Sequence, residues 1–148
     1  MHYDRDSIQI VDVVKGIREH REMFLPPDRP MGEYLAELTA KLAQLRGSHP
    51  ATVDRLGNWW KVSSAVDWLR EYSTDGEFNV FDKMVPYPAA GLFMFHPEVL
   101  LTAYANCVVS VVGQRIEMRP ATYAVPDHVR EWFLPSSGRS ICFEVSDD

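Results

Sequence analysis

Two stretches near the start of the chain repeat apolar side chains at helical spacing. The first follows Asp6 and Ser7, either of which could cap a helix. Its apolar face is formed by Ile10, Val13, Val14, Ile17 and Phe24. The second follows the breaker LPPDRP, stops at Gly47 and repeats Tyr34, Leu35, Leu38, Leu42 and Leu45. These patterns predict two helices, although β-branched residues weaken the first.

The pattern then changes to short apolar runs that are typical of strands. Residues 58–69, NWWKVSSAVDWL, and residues 78–85, FNVFDKMV, are rich in aromatic and β-branched side chains. Residues 107–119, CVVSVVGQRIEMR, divide into two strand-like halves about Gly113 and Gln114, as expected for a hairpin. The end of the chain alternates Ile141, Phe143 and Val145 with Cys142, Glu144 and Ser146. We therefore expect five strands in these four segments.

Two further helices are predicted in the second half of the chain. One has Pro97 in its first turn, where the missing N–H costs nothing. The other starts near Pro126 and Asp127, and its apolar positions are Val129, Trp132 and Phe133. The element order ααββαββαβ predicts an α+β fold, with one mixed but mainly antiparallel sheet covered by helices in two layers. Residues 1–148 are expected to form a single domain.

Composition and charge restrict the classes of partner. The chain has 148 residues, of which 46% are hydrophobic and 24% charged, enough for one domain with its own core. Its net charge of -6 disfavours nucleic acid and anionic membranes and favours a protein partner with a basic surface. No run approaches the roughly 20 apolar residues that span a bilayer, and MHYDRDSIQI lacks a signal-peptide core. We expect a cytoplasmic protein.

Motifs for catalysis and metal binding are missing from the sequence. None of the five histidines lies three or four residues from another, and neither cysteine belongs to a CxxC pair. The G-x-S-x-G elbow and the glycine-rich phosphate loops are also absent. Cys107 and Cys142 lie inside apolar runs, as buried free thiols do. The sequence thus predicts a protein without catalytic activity, metal or cofactor.

One segment nevertheless resembles a nucleotide-binding family. Residues 10–25, IVDVVKGIREHREMFL, resemble the start of the gyrase B-type ATPase domain of the GHKL superfamily, where a helix runs into an arginine-rich turn ending in Met and an aromatic residue. The resemblance implies that Arg18 and Arg21 occupy the basic positions. It also implies nucleotide contacts from Glu37 on the second helix and from Asp75 and Gly76. The alternative is that the charged residues after Ile17 are a solvated helix end.

Departures from that family predict a degenerate copy. The second helix contains no Asn that could bind magnesium, and Gly76 has no second glycine near it to let the backbone approach phosphate. Gly91 stands alone where the family has a glycine-rich lid. Without a magnesium ligand and a lid, the charge on a transferred phosphate lacks its main stabilisers. If the resemblance reflects ancestry, we expect weak nucleotide binding without hydrolysis.

Aromatic residues suggest an interaction surface. Trp59 and Trp60 are adjacent in a predicted strand and should point to opposite faces, so either one is exposed for a partner or covering helices bury both. The apolar loop PYPAAGLFMFHP, with Tyr87, Phe93 and Phe95, is either tucked onto the core or offered to a partner. We expect a small bacterial-type interaction protein, such as an immunity or inhibitor protein. The alternatives are a degenerate GHKL-like module and an enzyme of unrecognised type.

Overall fold

The computed structural model describes residues 13–70, 79–85 and 96–146. The helices are the helical residues 13–19 (α1), Arg21–Phe24 (α2), Met31–Gly47 (α3), Glu98–Tyr104 (α4) and Asp127–Phe133 (α5). The strands are Ala51–Leu56 (β1), Trp59–Ser64 (β2), Cys107–Gly113 (β3), Arg115–Arg119 (β4) and Ser136–Glu144 (β5). None of the helices within these ranges has the length and apolar character to cross a bilayer.

The strands form one five-stranded sheet in the order β1-β2-β5-β3-β4, and every neighbouring pair is antiparallel. The last strand in sequence, β5, therefore lies at the centre, between β2 and β3. Ser140 of β5 pairs with Ser63 on one side and Val111 on the other. The predicted α+β fold, with helices packed on a mainly antiparallel sheet, is confirmed.

The first hydrophobic core, the larger of two among the described residues, lies between the first face of the sheet and helices α3 and α4. Side chains at alternate strand positions point into it: Trp60, Val62, Val108, Ile141 and Phe143. Helix α3 contributes the predicted leucines Leu35, Leu38 and Leu42, whose spacing places them on one helical face. Each fully buried aliphatic side chain contributes roughly 1.5–3 kcal/mol, so this face holds α3 firmly on the sheet.

The second hydrophobic core, which is smaller, covers the second face of the sheet. It contains Trp59, Cys107, Val109, Val111 and Cys142 from the strands, together with Val129 and Phe133 from α5. Because both faces are covered, Cys142 is as fully buried as its neighbours Ile141 and Phe143. The alternation predicted at the end of the chain therefore places Ile141, Phe143 and Val145 in one core and Cys142 in the other, while Glu144 is partly exposed and Ser146 is exposed.

The turn between residues 79 and 85 corrects the prediction of a strand there. Described residues 79–85 form turns and irregular backbone, and Phe78 lies outside the described residues. The Asn79 side chain accepts a hydrogen bond from the Phe81 backbone N–H at 3.0 Å and donates one to Asp82 at 2.8 Å. An Asn side chain that bonds two residues ahead favours a turn over a strand. The same kind of bond, from Leu69 N–H to Asp67, follows the end of β2.

The first strand, β1, was not predicted from the sequence. Four of its six residues, Thr52 to Arg55, are exposed, so ATVDRL lacks the alternation of a half-buried strand. Gly57 follows it with φ +61°, a conformation that other residues rarely adopt, and the turn returns the chain into β2. With β1 added, the strand over 78–85 removed and the first predicted helix interrupted at His20, the order is αααββαββαβ instead of the predicted ααββαββαβ. The hairpin about Gly113, the helix after Pro97, α5 and β5 are confirmed.

Candidate functional site

A pocket of about 400 Å³ opens on the second face of the sheet, beside the start of β5. Half of its twelve lining residues carry hydroxyl groups: Thr52, Ser63, Ser64, Ser136, Ser137 and Ser140. The others are His49, Pro50, Lys61, Ala65, Phe133 and Pro135. We call this concavity, defined by these twelve residues, the hydroxyl pocket.

Strand register places the hydroxyl groups of the pocket side by side. Thr52 of β1 is the direct partner of Ser63 in β2, and Ser63 is the direct partner of Ser140 in β5. Directly opposite residues in antiparallel strands project to the same face. The Ser140 hydroxyl lies 3.0 Å from that of Ser63 and 3.0 Å from that of Ser136. Three serines from two strands thus form one connected chain of hydroxyls.

One wall of the hydroxyl pocket depends on Gly138. A Cβ atom at this position would lie 2.3 Å from the carbonyl carbon of Ala65 and 2.4 Å from the carbonyl oxygen of Ser64. No side chain fits there, because the backbone after β2 passes directly against β5. This close approach brings Ser64 and Ala65 next to Ser136 and Ser137 at the rim.

The hydroxyl pocket has a positive charge and no acidic side chain among its described lining residues. The Lys61 ammonium donates a hydrogen bond to the backbone oxygen of Trp132 at 2.9 Å and lies 4.6 Å from the centroid of the Trp132 ring. This cation–π contact and the carbonyl fix the ammonium against α5. Asp54 is the strand partner of Lys61, but it is exposed and does not line the pocket. Hydroxyl and ammonium donors beside an apolar wall suit a small ligand rather than a protein surface.

The structure brings together the two arginines of the GHKL resemblance. Arg18 and Arg21 both line a pocket of about 390 Å³, together with Tyr104 and Asn106. The Arg18 Nε–H donates to the backbone oxygen of Ala103 at 2.9 Å, which ties α1 to the end of α4. Both arginines are exposed, as expected for either a binding site or a solvated helix end.

The remaining residues of the nucleotide prediction do not join that pocket. Glu37 is not among its lining residues, and its carboxylate accepts a hydrogen bond from Arg29 Nη2 at 2.6 Å on the exposed side of α3. Asp75 and Gly76 lie outside the described residues. A surface ion pair of this kind contributes little to stability, so Glu37 has an ion-pair partner without a strong structural role.

Both tryptophans of the predicted interaction surface are buried, as in the second of the two alternatives given above, so neither ring is exposed for a partner. Trp59 is 3% exposed and lies in the second core, edge-on to Tyr123 at a centroid distance of 6.4 Å. Trp60 is 8% exposed and lies in the first core, with the Arg55 guanidinium 4.7 Å from its ring. They do point to opposite faces, but both faces are covered.

The rest of the predicted interaction surface is the apolar loop PYPAAGLFMFHP. Its three aromatic residues, Tyr87, Phe93 and Phe95, lie outside the described residues. Of the predicted partner-binding set, only the two buried tryptophans have a described position.

The two cysteines are buried free thiols, as predicted. Burial, with a smaller contribution from Glu144, raises the pKa of Cys107 to about 12. Burial also raises the pKa of Cys142. Since the thiolate is the reactive form of cysteine, neither side chain is prepared for nucleophilic attack. Among the described residues, no three His, Cys, Asp or Glu side chains are grouped so that they could hold a metal ion.

A buried acid, Glu98, and a buried base, His96, lie at the start of α4 and were not predicted from the sequence. Glu98 is fully buried, its Oε1 accepts a hydrogen bond from Trp68 Nε1 at 3.4 Å, and its Oε2 lies 3.9 Å from His96 Nδ1. Burial raises the pKa of Glu98 to about 7, while burial and the nearby Arg46 lower the pKa of His96 to about 4. A Glu in the first turn of a helix usually indicates an exposed charge, so no pattern in the sequence indicates that this carboxyl is buried.

A buried cation lies in the same part of the first core. Arg139 donates two hydrogen bonds to the carboxylate of Asp67, at 2.5 and 3.1 Å, and a third to the hydroxyl of Ser110. The positive charge of Arg139 favours the ionised form of Glu98, but burial outweighs it. A buried guanidinium needs such partners, because an unpaired charge in a core is costly.

Comparison with protein-family models, curated proteins and solved structures finds no significant match to this chain. Function therefore has to be inferred from the chain's own surfaces and pockets.

Proposed function

We propose that this chain is a small non-catalytic interaction protein that binds a protein partner with a basic surface. The proposal includes the more specific role of an immunity or inhibitor protein that blocks a toxic partner enzyme. It is supported by the edge strand β1 and by the distribution of charge along the chain.

The exposed edge strand β1 is the observation that carries the proposal. Among the described strands, β1 pairs only with β2, so its outer row of backbone N–H and C=O groups faces away from the sheet. Residues Thr52 to Arg55 are exposed, and Val53 keeps 39% of its surface accessible. An edge of this kind is a template on which a partner can add a strand, with backbone hydrogen bonds for affinity and side chains for specificity.

The acidic excess of the chain is concentrated outside the described residues. Fourteen of the fifteen Lys and Arg residues fall within the described ranges, but only thirteen of the twenty-one Asp and Glu residues do. The described fold is thus nearly balanced in charge. The excess acids belong to residues 1–12, 71–78 and 147–148. They favour a basic partner, because complementary charge steers association.

The test of the β1 proposal uses a matched pair of surface variants. After a partner has been co-purified from the native host with tagged chain, its binding is titrated against Val53→Lys and Val112→Lys. These two valines have similar exposure, 39% and 37%, but Val112 belongs to β3. Val53→Lys should weaken binding at least about tenfold, since a charge at the centre of an interface is strongly disfavoured. Val112→Lys should bind like the native chain, and both should melt like it.

Two outcomes would contradict the proposal. One is the failure of any protein to co-purify in stoichiometric amount. The other is equal binding by the two lysine variants, which would remove β1 from the interface. The charge contribution is tested separately by replacing Glu71, Asp75 and Glu77 with their amides. This change should slow association and reduce its salt dependence, while dissociation changes little.

The second candidate is a degenerate GHKL-like nucleotide-binding module. It is favoured by one observation, the pocket that Arg18 and Arg21 share. Two guanidinium groups beside one cavity can bind phosphate oxygens. Titration of the chain with ATP, with and without magnesium, should then show binding that Arg21→Ala reduces and magnesium does not enhance. Magnesium-dependent ATP hydrolysis that is lost in Glu37→Ala would instead indicate a working ATPase.

A further inference from the structure

The hydroxyl pocket shares Thr52 with the edge strand β1, but its chemistry points to a ligand of its own. We propose that it binds a small organic oxyanion, a phosphate monoester or a carboxylate with an apolar group attached. Lys61 would neutralise the anion, and the serine hydroxyls would donate hydrogen bonds to its oxygens.

The serine chain leaves a donor for such a ligand. Each hydroxyl has one proton and two acceptor positions. The chain Ser63–Ser140–Ser136 contains two internal hydrogen bonds, both at 3.0 Å, which use two of its three protons. The third proton belongs to the serine that donates to neither of the others. Because the direction of both bonds can reverse together, this donor can be presented at Ser63 or at Ser136, whichever end the anion occupies.

Lys61 supplies the charge. Its ammonium has three N–H donors, and the carbonyl of Trp132 accepts one of them at 2.9 Å. The carbonyl and the Trp132 ring fix the ammonium, so little conformational entropy is lost when it binds an anion. The groups facing it are Asp54 on β1 and Cys142 on β5, which are its strand partners. The Cys142 thiol is neutral because burial raises its pKa, and Asp54 lies outside the lining.

The pocket's size and apolar wall define the rest of the ligand. About 400 Å³ accommodates a compound of the size of a substituted ring, within the usual range for ligand pockets. Phe133, Pro135 and Pro50 form its apolar side. The described lining contains no acidic residue, which disfavours cations and sets this pocket apart in a chain with a net charge of -6. A neutral sugar would use the hydroxyls but would gain nothing from Lys61.

The experiment compares three probes that carry the same phenyl ring and differ in their polar group. The chain, labelled for NMR, is titrated with phenyl phosphate, benzoate and benzyl alcohol at millimolar concentration, and inorganic phosphate is added as a fourth arm. Both phenyl phosphate and benzoate should shift signals of residues lining the pocket, whereas benzyl alcohol should bind at least about tenfold more weakly, since charge-assisted hydrogen bonds are the strong ones. Whichever of phenyl phosphate and benzoate binds more tightly identifies the oxyanion of the ligand as a phosphate ester or a carboxylate. Binding of inorganic phosphate alone would restrict the site to the free ion.

Matched variants assign the binding to this pocket. Lys61→Met keeps the length of the side chain and removes its charge, so affinity for the preferred anion should fall at least about tenfold. Asp54→Asn removes the neighbouring acid and should leave affinity unchanged or raise it. Ser63→Ala, a smaller change in a partly buried residue, should also weaken binding and covers the case in which Lys61→Met does not fold.

Three results would overturn the proposal: no binding of either phenyl phosphate or benzoate, equal binding of benzyl alcohol, or retention of full affinity by both Lys61→Met and Ser63→Ala. None of these results depends on the protein partner, so this proposal and the one on β1 can fail separately.

Discussion

Replacing Glu98 with Gln should give the stability of this protein a pH dependence that the native pair suppresses. In the folded state burial raises the pKa of Glu98 from 4.5 to about 7. The fold thus keeps a proton that the unfolded chain loses above pH 4.5, and the contribution of Glu98 to the free energy of unfolding falls as pH rises from 4.5 to 7. Gln keeps the acceptor for Trp68 and cannot ionise.

His96 acts with the opposite sign. Burial and Arg46 lower its pKa from 6.5 to about 4, so the unfolded chain takes up a proton below pH 6.5 that the fold does not accept until about pH 4. The contribution of His96 is therefore complete above pH 6.5 and is lost as pH falls towards 4. The charged groups that act on this pair are Arg46 and Arg139.

The two contributions nearly cancel between pH 4.5 and 6.5. A carboxyl pKa raised from 4.5 to about 7 corresponds to roughly 3 kcal/mol, and a histidine pKa lowered from 6.5 to about 4 corresponds to a similar amount. In this window the folded pair and the unfolded pair each hold one proton. In the native chain the pair's contribution to the free energy of unfolding should change little with pH in this window. When one partner is replaced, the contribution of the other should change by about 2 kcal/mol across the window, once solvent screening is allowed for.

The assay is urea unfolding of four chains at pH 4.5 and at pH 6.5: native, Glu98→Gln, His96→Gln and the double variant. Differences from the native chain remove the contributions of all other groups. Between the lower and the higher pH, Glu98→Gln should gain about 2 kcal/mol relative to the native chain and His96→Gln should lose about the same. The free energy of unfolding of the double variant should change with pH by the same amount as that of the native chain. If that of Glu98→Gln also changes by the native amount, or both single variants change in the same direction, the assigned protonation of the pair is wrong.

Three further predictions concern the two cores. Both buried cysteines should react with a thiol reagent only at the rate of unfolding, because burial raises their pKa values; fast labelling of the native protein would contradict this. Trp59→Ala and Trp60→Ala should each lower the free energy of unfolding by about 3–5 kcal/mol in a denaturant titration, and a variant with native stability would show that its ring is not a core side chain. Gly138→Ala should destabilise the fold by about 3 kcal/mol because its Cβ meets backbone, whereas the control Gly16→Ala, with open space and a helical position, should stabilise it slightly; similar melting temperatures for the two would refute the steric argument.

The sequence predicted the elements whose burial follows a simple period. Helix α3 repeats its leucines on one face, and the sequence at the end of β5 alternates Ile141 and Phe143 with Cys142 and Glu144, so both elements are predicted. The edge strand β1 was missed because its exposed middle leaves no apolar alternation. The turn at residues 79–85 has the apolar pattern of a strand because Val80 and Phe81 are buried by tertiary packing, and the local pattern does not distinguish this burial from that of a strand in a sheet.

The candidate sites were harder to predict for a different reason. The hydroxyl pocket unites Thr52, Ser63 and Ser140, which are scattered along the sequence and meet only through strand register. Serines in isolation carry no signal of a site. The burial of Trp59 and Trp60 depended on which faces the helices cover, and periodicity within one strand says nothing about that. Only the proximity of Arg18 and Arg21 could be predicted, because they are neighbours in sequence.

The central position of β5 has a consequence for how the chain is made. The β1–β2 and β3–β4 hairpins are local, but no described strand other than β5 joins them into one sheet. A ribosome synthesises the chain from its N-terminus, so both hairpins emerge before the strand that unites them. Isolated two-stranded hairpins are marginal in water. The two halves of the sheet therefore cannot join until residues after Ser136 leave the exit tunnel, and until then the apolar strand residues remain accessible to a chaperone.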